Sequence, residues 1–393
     1  MDEKGVDRMD KKQITLVILL TNLFIAFLGI GLVIPVLPTI MNELNLTGSI
    51  VGYMVAAFAI MQLLVSPIAG RWVDKLGRKV MIVVGLIFFS ISELLFGLGQ
   101  TVEVLFISRM LGGVSAAFIM PAVTAFIADI TTAETRSKAL GYMSASISTG
   151  FIVGPGIGGF LAEIGTRLPF FSAAVLAAVA AILSMLLLKE PERQYNEQVE
   201  IQGSKFKKVF QPLFFIAFLI IFVASFALAA FESLFALFVD HKFSFTPKDI
   251  AIVITGGAII GAVAQVALFD RLTKVMGEIN LIRYCLVLSA ILVFLMTVVQ
   301  SYMSILLVTF IVFVGFDLIR PAVTSYLSKI AGDEQGFVGG MNSMFTSIGN
   351  VLAPIIAGKL FDIDLNYPFY LSAAILILGI LISVKWKKPE AIG

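Results

Sequence analysis

Apolar residues run through this chain in long stretches that only short polar segments interrupt. Twelve stretches can be counted, and each reaches or nearly reaches the length of about 20 residues that a membrane-crossing helix needs. Period-two alternation is absent, so a membrane barrel is not indicated. Because lipid offers the backbone no hydrogen bonds, the stretches predict helices. They cover residues 14–38, 48–70, 79–99, 102–128, 139–163, 168–189, 212–238, 248–270, 279–299, 301–328, 336–360 and 368–386.

Two polar segments are more pronounced than the short loops between stretches. One is the head, residues 1–13, and the other is residues 190–211, which follow the sixth stretch and are rich in Glu, Lys and Arg. The second segment divides the stretches into six plus six. We therefore expect a six-helix bundle over 14–189, a cytoplasmic linker over 190–211, a second bundle over 212–386 and a cytoplasmic tail over 387–393.

Lysine and arginine are distributed unevenly between the two sides that this pattern defines. If the head is cytoplasmic, the segments on its side hold 21 of the 28 basic residues, the other side holds four, and three lie within stretches. Cytoplasmic loops carry an excess of Lys and Arg, so both termini are expected in the cytoplasm. The first stretch is too long for a signal peptide, and no small-residue cleavage site follows it.

Composition supports a membrane protein and narrows its chemistry. Hydrophobic residues make up 59% of the chain, charged residues 14%, and the mean hydropathy is +1.00. These values exclude a soluble globule, which has about 25% charged residues, and a disordered chain. A single Cys and a single His exclude a disulfide framework and a Cys/His metal site. We expect no metal, no cofactor and no nucleic-acid partner.

The two halves of the chain repeat. Met120–Ile130 matches Arg320–Ile330 at five positions with an offset of 200, and Gly141–Leu161 matches Gly340–Leu360 at seven positions with an offset of 199. Chance sharing of Ala, Val and Gly is the alternative, but the matches include Pro and Thr at a nearly fixed offset. An even number of stretches separates the copies, which predicts parallel repeats, an architecture of transporters with a site at mid-membrane.

The predicted loop after the second stretch reads GRWVDKLGRK from Gly70 to Lys79. Gly70 and Gly77 permit tight turns and close helix approach. Asp74 is able to accept from a helix N-terminus or to pair with an Arg as a charge latch. The residues of this motif assigned a conformational role are Gly70, Asp74, Gly77 and Arg78. A positive-inside anchor is the alternative, and it explains the basic residues but not the acid and the glycines.

The fifth stretch contains GFIVGPGIGG from Gly150 to Gly159. Small residues let helices pack backbone to backbone, and a proline removes a helical hydrogen bond and kinks the helix. Generic small-residue packing is the alternative to a conformational role. The residues concerned are Gly150, Gly154, Pro155, Gly158 and Gly159.

These patterns resemble those of the major facilitator superfamily. Gly70–Lys79 is similar to its loop signature, and Gly150–Gly159 is similar to the signature of its drug:proton antiporter branch. Leu105–Ala117 resembles the arginine motif of that branch around Arg109, with Gly112 where Gln is common. Over essentially the whole chain the sequence is similar to the Bmr/NorA group of bacterial multidrug efflux transporters.

The resemblance implies an all-α polytopic membrane protein of twelve transmembrane helices in two parallel-repeat six-helix bundles, the major facilitator fold. It also implies a secondary transporter in a bacterial plasma membrane that exchanges external protons for amphipathic, often cationic drugs by alternating access. Its partners would be the lipid bilayer, drugs and protons, and the usual oligomeric state is a monomer.

Ionisable side chains inside a membrane are costly, so each is a functional hypothesis. The acids within stretches are Glu93, Glu232 and Asp317, and the bases include Arg109 and Arg320. Asp317 and Arg320 are three residues apart, on one helix face. An ion pair favours the charged acid whereas burial favours the neutral one, a balance suited to a proton switch; a structural salt bridge is the alternative.

Glu232 lies among aromatic residues of the seventh stretch, including Phe231 and Phe235. A carboxylate among aromatic rings suits a lipophilic cation through charge and cation–π attraction. The same carboxylate is able to hold a proton when no drug is bound, so drug and proton would compete for one charge. For the phenylalanines themselves, ordinary packing is a strong alternative because the chain contains 34 of them.

We assign proton coupling to Glu232, Asp317, Arg320 and Arg109; the resemblance supports the two acids, and a structural role is an equal alternative for Arg109. Glu93 is a weaker candidate. We expect Glu232 and Phe235 to bind substrate. By resemblance alone, four further positions match pocket-lining residues of the group: Phe27, Gln62, Phe151 and Asn350.

Other functions remain open at this point. No G-x-x-x-x-G-K-[ST] loop is present, so a proton gradient rather than ATP is the expected energy source. The same fold could carry one defined metabolite, lipid or sugar, although polar residues in the stretches are sparse. A membrane sensor or binding protein is a third possibility. A catalytic constellation is missing from the sequence, so no enzyme activity is expected.

Overall fold

The computed structural model describes residues 3–191, 212–331, 335–384 and 386, and within them every regular element is helical. The linker residues 192–211 and the tail 387–393 lie outside the described residues. A 3-10 turn, Ile34–Val36, joins α1 to α2. The helices are α1 (Glu3–Val33), α2 (Leu37–Glu43), α3 (Gly48–Leu76), α4 (Arg78–Leu98), α5 (Val102–Ile130), α6 (Ala133–Ile164), α7 (Leu168–Leu187), α8 (Pro212–Phe243), α9 (Pro247–Val298), α10 (Tyr302–Ala331), α11 (Gln335–Phe361) and α12 (Tyr367–Val384).

Eleven helices in the described part of the chain are long and apolar enough to cross a membrane. The prediction of an all-helical protein is therefore confirmed. The helices do not begin and end where the apolar stretches do, because backbone hydrogen bonding can extend a helix into polar sequence. Helix α1, for example, begins at Glu3, ahead of the apolar stretch that starts at residue 14, because a helical backbone continues into polar sequence without needing apolar side chains.

Helix α9 covers two of the predicted stretches, 248–270 and 279–299. It is 52 residues long and contains a non-helical residue, Gly277, with φ 76° and ψ 161°. Glycine adopts such a positive φ without the penalty of a Cβ atom. At a rise of 1.5 Å per residue, 52 residues would extend roughly 78 Å, more than twice the bilayer core of about 30 Å.

The chain forms two compact units. The first comprises Met1–Asn45, Ala57–Gln198 and Pro247–Ile252, and the second comprises Leu46–Ala56, Val199–Thr246 and Val253–Gly393. Helices α3 and α9 each contribute to both units, because a few residues at the start of each belong to one unit and the remainder to the other. The division into bundles at residues 190–211 stays a prediction.

In the first unit, polar side chains join helices that are otherwise apolar. The hydroxyl of Ser92 in α4 donates to the carbonyl of Ser108 in α5 at 2.8 Å, and the hydroxyl of Ser108 donates back to the carbonyl of Ser92 at 2.8 Å. Nδ2 of Asn22 in α1 donates to the hydroxyl of Ser184 in α7 at 2.7 Å. These bonds satisfy buried groups that would be costly to leave unpaired, and they fix which helices are neighbours.

In the second unit, aromatic rings form the core around α8. The ring of Phe231 lies 6.0 Å from that of Phe316 and 6.1 Å from that of Phe313, both in α10. The ring of Phe238 lies 4.3 Å from that of Phe369 in α12. Offset and edge contacts of this kind add about 0.5–1.5 kcal/mol per pair beyond burial of area. They place α8 between α10 and α12.

The sequence repeat is visible in the packing. In the first unit, Glu163 at the end of α6 forms an ion pair of 3.2 Å with Lys248 at the start of α9. In the second unit, Asp362 lies just after α11 and accepts two hydrogen bonds from Ser49 at the start of α3. The backbone N–H of Ser49 donates at 3.1 Å, and its hydroxyl donates as well. Both acids and both partners are related by the offset of 199. Equivalent helix ends therefore meet in each unit.

Candidate functional site

The acidic site of the second unit is built on α8 and α10. Glu232 is exposed, while its neighbours Phe231 and Phe235 are buried, so the carboxylate lies on the face of α8 that points away from the aromatic core. On α10, Asp317 is half-buried and Arg320 is exposed. The charges of Asp317 and Arg320 both act on the Glu232 carboxylate, with opposite signs. Three of the four residues assigned to proton coupling therefore share one site.

Asp317 and Arg320 do not pair. Among the described side chains no ion pair joins them, although their spacing puts both on one side of α10. Instead, the carboxylate of Asp317 lies against the backbone of Gly261 in α9, where an added Cβ atom would be only 1.9 Å from Oδ2. Sequence reasoning did not single out Gly261, and the spacing of Gly257 and Gly261 was the available signal.

Aromatic residues near Glu232 pack within the protein. Phe235 is 2% exposed, and its ring lies 5.3 Å from that of Phe231. Phe238 is fully buried. In this structure the rings therefore pack against one another, as the alternative of ordinary packing predicts. Substrate binding by Phe235 stays a prediction. Asn350 is exposed on α11, next to Gly349, whose missing Cβ lets α11 approach the backbone of α8.

In the first unit, two of the expected pocket residues meet. The rings of Phe27 in α1 and Phe151 in α6 lie 4.9 Å apart with an interplanar angle of 57°. A groove of about 340 Å³ runs between the same two helices, and Phe24, Tyr142 and Thr149 are among its lining residues. Phe24 and Tyr142 were not foreseen, since nothing in the sequence distinguishes them from packing aromatics. The residues that line this groove do not include Phe27, Phe151 or Gln62, the last of which is half-buried in α3.

Arg109 has a buried acidic partner. Its Nη2 atom lies 3.7 Å from Oε1 of Glu93 in α4, which is 2% exposed, and its guanidinium carbon lies 4.3 Å from the ring centre of Phe96. Among the described groups, Oε2 of Glu93 and Nε and Nη2 of Arg109 have no hydrogen-bond partner. A pair this buried is expensive to break, because the remaining charge is left without compensation.

Substitution of Arg109 therefore distinguishes a structural role of this residue from a role in proton relay. We expect Arg109→Met to lower the free energy of unfolding by about 3–5 kcal/mol, because Glu93 is left buried and unpaired. The double variant Arg109→Met/Glu93→Gln should recover most of that loss, measured by denaturant unfolding in detergent. If the recovered double variant also keeps wild-type rates of the transport that the sequence resemblance implies, Arg109 has no part in proton relay.

The loop motif forms a network at the start of α4. Nε of Arg78 donates to Oδ2 of Asp129 at 2.9 Å, and its Nη2 atom lies 3.3 Å from Oδ1 of Asp74. The Glu190 carboxylate accepts from the backbone N–H of Arg78 at 2.5 Å and of Lys79 at 2.9 Å. An acid here complements the positive end of the α4 dipole. Sequence reasoning did not single out Asp129 or Glu190 as partners.

The two glycines of this motif differ. Gly77 has a φ of 109° and forms the turn between α3 and α4, as expected. Gly70 lies inside α3 with open space where a Cβ atom would be, so it forms neither a turn nor a close helix contact. A role of the network as a latch stays a prediction.

The glycines of α6 pack against two helices. Added Cβ atoms at Gly150, Gly154 and Gly158 would lie 2.8, 2.6 and 2.2 Å from backbone carbonyl oxygens of α1. An added Cβ at Gly159 would instead lie 2.8 Å from the carbonyl oxygen of Pro247 in α9. The expected backbone-to-backbone packing is present, and α6 continues through Pro155.

A metal site is not formed by the described residues, in which no three His, Cys, Asp or Glu side chains come together. The acidic site on α8 and α10 supplies groups that take part in protonation and in charge interactions. An exposed acid beside a second acid and an arginine is able to hold either a proton or a cation. This arrangement suits the binding of positively charged species.

The sequence matches curated proteins along almost its full length. It is 73% identical to Multidrug resistance protein 1 of Bacillus subtilis (strain 168), with 97% of this chain and 98% of that one covered. It is 52% identical to Multidrug resistance protein 2 of the same strain, with 97% of each chain covered. It is 45% identical to the Quinolone resistance protein NorA of Staphylococcus aureus (strain Mu50 / ATCC 700699), with 95% and 97% covered.

Solved structures share the fold at low sequence identity. A bacterial homolog to the human lysosomal transporter Spinster, in an inward-facing and occupied conformation, has a TM-score of 0.80 and 16% identity, with 95% of this chain and 96% of that one covered. The nucleoside transporter NupG has a TM-score of 0.75 and 16% identity, with 95% and 100% covered. The family model of the Major Facilitator Superfamily matches residues 19–333 and 217–392. The chain is thus a multi-pass plasma-membrane protein that belongs to the Major Facilitator Superfamily.

Proposed function

We propose that this protein is a secondary active multidrug efflux transporter, which exchanges external protons for amphipathic, often cationic drugs by alternating access. Relatives at 73% and 52% identity are named multidrug resistance proteins, which supports drugs as the substrate class. Metabolite transport and a sensor role have no comparable observation in their favour. The transporter is expected to work as a monomer in the bilayer.

The observation that carries the proposal is the position of Glu232. Its carboxylate is exposed on a helix whose other faces are buried among phenylalanine rings, and it interacts with the charges of Asp317 and Arg320. A single exposed negative charge in an apolar span is costly unless it is neutralised. Either a proton or a lipophilic cation provides that neutralisation, and the presence of one opposes binding of the other. This competition is the minimum that exchange requires.

The membrane topology proposed has twelve spans and both termini in the cytoplasm. Eleven candidate spans are present in the described residues, and the longest, Pro247–Val298, is interrupted at Gly277. Its length suffices for two crossings of the bilayer. Counting it as two spans gives an even number, which agrees with the 21 basic residues on the side of the head and with the positive-inside rule.

The energy source proposed is the proton gradient. A potential of 100 mV contributes about 2.3 kcal/mol for each charge that moves across the membrane. An exchange that carries net charge uses this energy, and a proton entering for a drug leaving also uses the pH difference. Arg109 and Arg320 are proposed to assist proton transfer, and Phe27, Gln62, Phe151, Phe235 and Asn350 to bind drugs.

The gradient requirement tests the function. Protein reconstituted in vesicles should accumulate ethidium against its concentration gradient when the lumen is acidic, and a protonophore should reduce the accumulation by at least about tenfold, the factor that corresponds to about 1.4 kcal/mol. Structurally unrelated cations should compete with ethidium. Equal ethidium movement with and without the gradient would refute the proposal, and absence of competition would favour a dedicated metabolite transporter.

A further inference from the structure

Helices α9 and α10 pack through a pair of glycines. An added Cβ atom at Gly257 would lie 2.4 Å from Cδ2 of Phe313, and one at Gly261 would lie 1.9 Å from Oδ2 of Asp317. The two glycines are four residues apart, as are the two side chains that they receive, so the contacts are in register along the helix pair. Small residues at this spacing allow close approach of helices in membranes.

The two contacts differ in chemistry. Gly257 accommodates an aromatic ring, whereas Gly261 accommodates a carboxylate oxygen in the space that any side chain would fill. Asp317 makes neither an ion pair nor a hydrogen bond within the part of the chain that the structure describes. Its position is therefore fixed by the shape of α9 at Gly261 rather than by a polar partner.

We infer that Gly261 is a positioning residue for Asp317, which holds the carboxylate against the backbone of α9 and away from Arg320. The inference rests on the proposed proton coupling and adds a residue to it. A carboxylate kept apart from the guanidinium remains able to take up a proton, whereas one paired with it stays charged.

The charged groups around Asp317 are few. Glu232 in α8 and Arg320 in α10 interact electrostatically within this site. Helix α11 carries Lys359 only in its last turn. On α9, the charged residues nearest to Gly261 along the chain are Asp249 and Asp270, each more than two turns of about 3.6 residues away. A shift of the Asp317 carboxylate therefore changes its distance to Arg320 and to Glu232, the two charged groups of this site.

An alanine at position 261 should displace the carboxylate without unfolding the protein. The atom in conflict is at the end of a short side chain, which changes rotamer at low cost, and not in the backbone. Arg320 is three residues along the same helix face, within reach of a carboxylate that leaves the α9 backbone. The charged form is then favoured, so a proton is held less tightly.

The experiment compares the pH dependence of ethidium affinity in purified full-length variants. For Gly261→Ala we expect the midpoint of this dependence to fall by about one pH unit or more, as for an acid that gains a cationic neighbour. The matched control is Gly257→Ala, which crowds a ring on the same helix face and should keep the wild-type midpoint. In an Asp317→Ala background, Gly261→Ala should cause no further shift.

Each of the other possible results either supports or overturns the positioning role of Gly261. A wild-type midpoint in Gly261→Ala, or an equal shift when Asp317 is absent, overturns it. If the Gly261→Ala protein cannot be obtained in folded form, the double variant Gly261→Ala/Asp317→Ala is expressed instead. A folded double variant supports a steric conflict between the methyl group added at position 261 and Asp317, and a double variant that also fails to fold contradicts it. If the ethidium affinity of the wild-type protein does not depend on pH, the proposed proton coupling is wrong. If the wild-type affinity depends on pH and the Gly261→Ala variant has the same midpoint, only the inference about Gly261 is wrong.

Discussion

Glu232→Gln should abolish the proton release that ethidium causes when it binds to detergent-solubilised protein. The substitution keeps the size of the side chain but removes the charge for which drug and proton are proposed to compete. Ethidium affinity should fall by about tenfold, or about 1.4 kcal/mol, because the cation loses its negatively charged partner. A pH electrode in weakly buffered solution measures the release directly.

A matched acid serves as the control. Glu103 is exposed in the first turn of α5 and has no place in the proposed site, so Glu103→Gln should release protons as wild type does. Undiminished release from Glu232→Gln would mean that another group exchanges the proton. Asp317→Asn would then be the next variant to measure, since Asp317 acts on the same carboxylate.

Gly158→Ala should destabilise the protein and eliminate export. The added Cβ atom would lie 2.2 Å from the carbonyl oxygen of Leu32 and 2.8 Å from its carbonyl carbon. Both are backbone atoms of α1, so relief requires the two helices to separate rather than a side chain to rotate. Overpacking of this kind costs about 1–3 kcal/mol. Thermal unfolding in detergent and ethidium efflux from vesicles measure the two effects.

The same helix supplies a control for Gly158→Ala. Gly141 is exposed in α6 and nothing lies within 4 Å of an added Cβ atom there. Gly141→Ala should raise stability by about 0.5–1 kcal/mol, because glycine within a helix is less favourable than alanine by that amount. If both alanines lower stability equally, the loss at Gly158 is not due to contact with α1.

The helical fold could be predicted from the sequence because a lipid bilayer permits few backbone structures. Long apolar stretches have to be helices, and the matched Pro, Thr and Gly positions indicated the repeat before any contact was known. The interruption of α9 was less clear. Hydropathy separated 248–270 from 279–299, but only the non-helical backbone at Gly277 shows where the helical conformation of α9 is interrupted between them.

The site was only partly predictable, and the reason is geometric. Glu232 and Asp317 are conspicuous as charges within apolar stretches, whereas their partners depend on which helix faces meet. The spacing of Asp317 and Arg320 permitted an ion pair, but the space at Gly261 allows the carboxylate another position. The partners Asp129 and Glu190 likewise required the helix ends to be placed, since each is far in sequence from Arg78.

The exchange of helix starts between the compact units has a consequence for biosynthesis. Ser49 leaves the ribosome early, but its partner Asp362 follows 313 residues later, roughly 15 to 60 seconds at about 5–20 residues per second. The first unit likewise lacks Pro247–Ile252 until the chain has grown past its midpoint. The start of α3 therefore waits in the translocon and bilayer without its partner at the end of α11. The first unit is complete once residue 252 has been inserted, whereas the second is not complete before nearly the whole polypeptide has been inserted.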